Sequence, residues 1–160
     1  MGVTIRAGGV GDAAAVAEIW RSGWRDGHLG HVPDALVEAR TPQWFDDRAA
    51  ELVGNTTVAM VDGQVAGFIM VHGDEVEQVY VLSAHRGSGI ASLLLEEAER
   101  QVRSNGHGRA WLAVVAGNSR ARRFYERQGW SDGGEFEHQA PSPDGPITVP
   151  CLRYVKNVGH

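Results

Sequence analysis

A chain of 160 residues, 42% hydrophobic and 22% charged, has the make-up of a globular protein. A chain of this size buries about 70% of the surface it exposes unfolded. Its formal charge of −5 and pI near 5.8 argue against a sequence-independent nucleic-acid binder, which would carry a basic stripe. No apolar run reaches the roughly 18 residues of a membrane span. Cys151 is the only cysteine, so no intrachain disulfide forms. MGVTIRA lacks the blocks of a signal peptide and has Arg6 where a myristoylation signal needs a hydroxyl. The expectation is one cytoplasmic domain over residues 1–160.

In chain order, Val3-Thr4-Ile5-Arg6-Ala7 reads as a short strand ended by glycines, with Asp12 placed to N-cap the next helix. In AAAVAEIWRSGW, Val16, Ile19, Trp20 and Trp24 recur at helical spacing. Gly23 weakens the last turn, and DGHLGHVPD is expected to break the helix. Pro33 opens the short piece DALVEAR, and Thr41-Pro42 opens a helix running to about Leu52, with a hydroxyl cap and proline at its first position. TTVAMVDGQVAGFIMVHGD reads as two strands joined at Asp62-Gly63, a hairpin signal. A break at Gly73-Asp74 leads into EVEQVYVL, which completes an antiparallel meander. IASLLLEEAERQV places Ile90, Leu93, Leu94, Ala98 and Val102 on one helical face and ends near Asn105-Gly106. RAWLAVVA is apolar throughout and expected to be covered on both faces. Asn118 or Ser119 caps a short helix that Gly129 stops, and two strands at 130–138 and 147–156 close the chain. The order β-α-α-β-β-β-α-β-α-β-β gives an α/β (α+β) fold, a mixed, mostly antiparallel sheet covered by helices.

Between the central strand and its helix stands Arg86-Gly87-Ser88-Gly89. A helix opening from a glycine loop presents unpaired N–H donors and the positive end of its dipole, a setting for phosphate or pyrophosphate. A Walker loop needs a lysine that is missing here. A dinucleotide fingerprint needs a third glycine where Ser92 stands, and an acid after the next strand, which ends in Val114-Val115. The pattern R-x-x-G-x-A is filled without a gap by Arg86-Gly87-Ser88-Gly89-Ile90-Ala91.

With that motif the chain resembles the GNAT N-acetyltransferase superfamily, in which it binds the pyrophosphate of acetyl-CoA. GNSRARRFYERQGW is similar to the family's second signature, N-x-x-A-x-x-x-Y-x-x-x-G-[FW], filled by Asn118, Ala121, Tyr125, Gly129 and Trp130. VDGQVAGFIMV looks like the family's strand pair, and the likeness follows the family's order over nearly the whole chain. The resemblance implies an acyltransferase that moves acetyl from acetyl-CoA to a primary amine of a small molecule or amino-acid-like acceptor. Attack would be direct, in a ternary complex, without metal; Cys151 lies outside both signatures. A non-catalytic acyl-CoA binding or sensing domain, and acetylation of a protein amine, stay open as alternatives. The exposed strands at the C-terminal end also leave a homodimer open.

The same resemblance assigns roles. The backbone N–H groups of Gly87, Ser88, Gly89, Ile90, Ala91 and Ser92 would surround the pyrophosphate, with Arg86 adding charge or capping the turn. The pantetheine arm would pair with exposed backbone of Val79, Tyr80 and Val81, where this strand and the next diverge between Val81 and Val114. The Val81 N–H would serve the oxyanion. Tyr125 would protonate the leaving thiolate, as a phenol of pKa about 10 can. Asn118 would bond the pantetheine arm or cap its helix. Glu75 is the preferred base; Glu77, two residues on, shares its face if the strand is regular, and a pair of solvated carboxylates is the plain alternative. Trp20, Trp24, Asp26, His28, His31 and Trp44 form the expected acceptor wall, aromatic with one acid and suited to a cation or a ring. His28 and His31 lack a third metal ligand and read as loop histidines. Arg120, Arg122, Arg123 and Arg127 form a helix face open to the CoA 3′-phosphate or to solvent.

Overall fold

The computed structural model describes residues 2–159. Seven strands form one sheet in the order β1-β2-β3-β4-β5-β7-β6. These are β1 Val3–Ala7, β2 Thr56–Val61, β3 Gln64–His72, β4 Glu75–Val81, β5 Arg109–Val114, β6 Ser131–Ala140 and β7 Ile147–Asn157. Every neighbouring pair is antiparallel except β4–β5. Asp62 (φ 51°) and Gly63 (φ 78°) make the two-residue turn between β2 and β3, the left-handed pair that twist-matched hairpins require.

Two apolar layers cover the sheet. On one face lies α4, Ile90–Ser104, which buries Ile90, Leu94, Leu95, Ala98 and Val102. On the other lie α1 Ala13–His28, α2 Asp34–Ala39 and α3 Pro42–Glu51, whose Val16, Trp20, Trp24, Leu36 and Phe45 pack on Phe68 and Met70 of β3. The short α5, Ser119–Arg127, follows β5 and packs Phe124 and Tyr125 on the α4-side core. The Thr41 side chain caps α3 by accepting from the Trp44 N–H at 3.1 Å.

Several expectations change in three dimensions. Leu93 is exposed and Leu95 is buried. At about 100° per residue, Leu95 lies only about 20° beyond Val102 on the buried arc that runs from Ile90, whereas Leu93 lies about 60° off its other edge. Helix α1 runs three residues into DGHLGHVPD and ends there, at His28. Its glycines are sites of close approach: a Cβ at Gly23 would stand 2.4 Å from the Tyr80 ring, and one at Gly27 would stand 2.7 Å from Asn118 Nδ2. Asp12 occupies the N-cap of α1 without capping it. Its carboxylate instead accepts from the Gly9 N–H at 2.8 Å and pairs with Arg6 at 2.7 Å. β5 is covered fully on one face only, since Trp111 and Ala113 on the other are half-buried. Arg153 lies 4.2 Å over the Trp111 ring there.

One buried polar cluster ties α4 to the closing strands. Glu99, 8% exposed, accepts from Trp130 Nε1 at 3.2 Å and pairs with Lys156 Nζ at 2.9 Å. Lys156 also donates to the Gln128 carbonyl at 2.9 Å. Removing one partner of a fully buried pair costs roughly 3–5 kcal/mol, because the remaining charge is stranded. Lys156 keeps some contact with water, so Lys156→Met is expected to cost about 2–3 kcal/mol. Urea denaturation should show a lower midpoint at unchanged m-value.

Candidate active site

The site begins with a missing ladder. β4 and β5 pair at a single position, Glu75↔Trp111. Asp74 fastens that apex twice, its carbonyl accepting from the Trp111 N–H at 3.1 Å and its carboxylate from Trp111 Nε1 at 3.1 Å. Beyond it the strands separate, a wider opening than the divergence expected between Val81 and Val114. Leu82 N–H donates to the Ala66 carbonyl at 2.8 Å, and the register Tyr80↔Phe68 continues that ladder. Alternation in an antiparallel pair then turns the N–H and C=O groups of Val79 and Val81 away from β3, toward the gap. The Tyr80 backbone faces β3. Tyr80 meets the cleft through its ring, which packs on Gly23 and lies 5.9 Å from Phe68.

β4 is not regular. Its register against β3 shifts between Met70 and Val71, so that Val76, Glu77 and Gln78 span one step of the partner. Glu77 is the extra residue of this bulge, and the same-face argument for Glu75 and Glu77 therefore fails. Both still line the cleft. Burial raises the Glu75 carboxyl to about 7, reinforced by Glu77 and Asp74 and partly offset by Arg153.

At the far end of β4, Gly87 (φ 81°) and Gly89 (φ 88°) take left-handed conformations with open space where a Cβ would stand. Gly89 is the N-cap of α4. Among the described residues, the N–H groups of Gly87, Gly89, Ile90, Ala91 and Ser92 have no acceptor. Ser88 differs, because its N–H and hydroxyl both bond the His85 carbonyl. The Ile90 side chain is core, so only its backbone is available. Arg86 pairs with Asp26 of α1 at 3.0 Å.

On the opposite side of the gap, Asn118 Oδ1 caps α5 by accepting from the Ala121 N–H at 3.2 Å, which leaves its Nδ2 beside Gly27. Tyr125 lines the cleft, wedged against Phe124, Trp130 and Tyr154 at centroid distances of 5.4, 6.2 and 6.2 Å. Burial raises its phenol to about 12, so it stays protonated at neutral pH. Arg120 and Arg127 border the same cleft, whereas Arg122 is engaged with Tyr154 and the Ala116 carbonyl. The whole cavity has a volume of about 700 Å³.

Residues 13–130 match the acetyltransferase (GNAT) family. The chain belongs to that family. It is 30% identical over 113 residues to an uncharacterized N-acetyltransferase of Mycobacterium bovis, covering 67% of this chain and 70% of that protein. The fold is shared with the paiA N-acetyltransferase of Thermoplasma acidophilum, solved with coenzyme A. That structure has a TM-score of 0.72 and 18% identity, over 98% of this chain and 99% of that one. It is shared too with yncA of Salmonella typhimurium, a putative acetyltransferase solved with acetyl-CoA. There the TM-score is 0.66 and the identity 22%, over 100% of this chain and 96% of that one.

In this GNAT enzyme the wall formed by α1, α2 and α3 departs from what its sequence suggested. Asp26, the acid expected to favour a cation, is taken by Arg86. His31 packs its ring on Gly117 at the β5–α5 turn. His28 stacks on Trp24 at 4.8 Å, with Nδ1 bonded to the Trp24 carbonyl at 2.8 Å. Only a protonated Nδ1 can make that bond, so Nε2 is the acceptor of the neutral ring. Burial lowers the His28 pKa to about 4, which keeps the ring neutral. Arg40, which no local pattern marks, reaches the cleft between Trp24 and Trp44.

Proposed function

We propose that the protein transfers acetyl from acetyl-CoA to a primary amine of a small molecule by direct attack in a ternary complex. The observation that carries this is the open gap between β4 and β5, with free backbone on one side and Tyr125 on the other. The N–H groups at the start of α4 suit a pyrophosphate, since they lack acceptors and lie at the positive end of a 15-residue helix. The Val79 and Val81 edge suits an extended arm added as a strand, with one of its N–H groups left to stabilise a developing oxyanion. Acetyl-CoA supplies the activated thioester. Tyr125 gives its proton to the departing sulfur, and Glu75 takes the proton that the amine loses. Asn118 can cap α5 with its oxygen and still offer Nδ2 to the arm.

The test is release of free thiol from acetyl-CoA against a panel of primary amines, alongside the thermal shift produced by acetyl-CoA alone. Turnover with a small amine supports the reading. A thermal shift without turnover on any amine points to a binding domain, and acetylation of proteins alone shifts the acceptor class.

Glu75 makes the reading pH-dependent. A base must be ionised to act, and a carboxyl raised to about 7 is half protonated at neutral pH. The value of kcat/KM is therefore expected to climb with pH through an inflection near 7, and Glu75→Gln should remove that inflection. Stability runs the other way. A raised folded-state pKa favours the fold below the carboxyl's ordinary range and loses that contribution as pH rises through about 7. Glu75→Gln should accordingly match the wild type in melting temperature at pH 4 and exceed it at pH 8. An unchanged pH–rate profile in the variant would remove Glu75 from the mechanism.

A further inference from the structure

Among the described residues, two buried side-chain donors lack a hydrogen-bond partner, Arg40 Nε and Trp20 Nε1. Both belong to the same wall of the cleft. Arg40 is 7% exposed, with its guanidinium carbon 4.0 Å from the Trp44 ring centroid and 5.0 Å from that of Trp24. Trp20 meets Trp44 edge-on at 5.5 Å. Of the guanidinium's donors, Nη2 bonds the Pro141 carbonyl at 3.1 Å, and Nη1 has no acceptor among the described residues. Buried cations in proteins are normally paired, and this one has no carboxylate. The groups around it are Arg48 of α3, His28 of α1, His138 of β6 and Tyr80 of β4, none of them acidic. A positive, aromatic-walled chamber of this kind repels an ammonium and suits a small planar anion.

We infer that Arg40 is the anchor for a carboxylate on the acceptor, so that the acetylated amine belongs to an amino-acid-like compound held by its acid end. This rests on the acetyl-transfer reading. It places the two ends of the acceptor on either side of Tyr80, whose half-buried ring lines the cleft together with Arg40 and Tyr125. The acid end sits against the open Nη1 side of the Arg40 guanidinium, and the amine projects past Tyr80 toward Tyr125. The aromatic faces of Trp24 and Trp44 hold the guanidinium in place while its unpaired N–H groups await an acceptor. On this reading the wall takes an anion, where the sequence pattern suggested a cation or a ring.

The experiment uses matched pairs, each L-amino acid with its own carboxamide, on wild type, Arg40→Met and Arg40→Lys. Thiol release is followed at saturating acetyl-CoA, and each amine is tested separately for a thermal shift without acetyl-CoA. For the best acceptor, the carboxylate should exceed its carboxamide by about 10–100-fold in kcat/KM, the worth of a charge-assisted contact. Arg40→Met should abolish that ratio chiefly through KM, Arg40→Lys should restore part of it, and the acetyl-CoA thermal shift should persist in both. Equal use of the two members of each pair, or turnover of neutral amines alone, overturns the inference. So does an unchanged ratio in Arg40→Met. If Arg40→Met fails to fold, the wild-type pairs decide. If acetyl-CoA neither binds nor releases thiol, the acetyl-transfer reading falls, and the amine-only shifts decide the subsite. Stabilisation by carboxylates and not carboxamides then upholds it, and no stabilisation by either overturns it.

Discussion

Tyr125→Phe is expected to lower kcat by about 100-fold or more, the lower end of what a positioned general acid contributes. The substitution is clean because the Tyr125 hydroxyl bonds no described residue, while its ring fills space against Phe124, Trp130 and Tyr154. Phenylalanine keeps that packing, so melting temperature and acetyl-CoA affinity should stay near wild type. Burial raises the phenol to about 12, which keeps the donor protonated across the working pH range. A loss confined to kcat identifies a contact made only in the transition state. A leaving thiolate left without a donor also predicts partial recovery with an acyl donor whose leaving thiol is more acidic. If kcat stays within about threefold of wild type, the proton comes from elsewhere, and Tyr125 is a packing residue of the α4-side core.

What the sequence could disclose was local. The Asp62-Gly63 turn, the Thr41 cap and the Gly89 opening of α4 are each set by residues within a few positions, and all three stand in the structure. Gly23 and Gly27 misled because glycine has two meanings. Their lack of a side chain serves Tyr80 and Asn118, far away in sequence, and the helix runs through them. The bulge at Glu77 was equally out of reach, since it exists only in the register between β4 and β3. So was the site role of Arg40. One arginine after a short helix carries no sign that two tryptophans from other helices will close over it. The candidate loop and tyrosine were visible because their geometry is written in contiguous motifs, whereas the acceptor wall is assembled from separate elements.

Gly89→Trp is expected to abolish acetyl-CoA binding, the other large effect. Wild type at 100 times its dissociation constant should gain about 2.7 kcal/mol of stability, seen as a raised melting temperature with acetyl-CoA or CoA and none with NAD. Two effects act at this position. The φ of 88° is left-handed, and any side chain there costs roughly 1–2 kcal/mol in the free protein. Nothing lies within 4 Å of an added Cβ, so alanine suffers that strain without a clash. The open space is also the approach to the unpaired N–H groups of Ile90, Ala91 and Ser92, and an indole there would exclude a pyrophosphate. Gly89→Ala should therefore melt lower than wild type yet retain a CoA-induced shift, while Gly89→Trp melts lower and loses it. Loss of the shift in both would mean that loop conformation, rather than access, governs binding. A full shift in Gly89→Trp would move the phosphate site away from the start of α4, and the dipole argument with it.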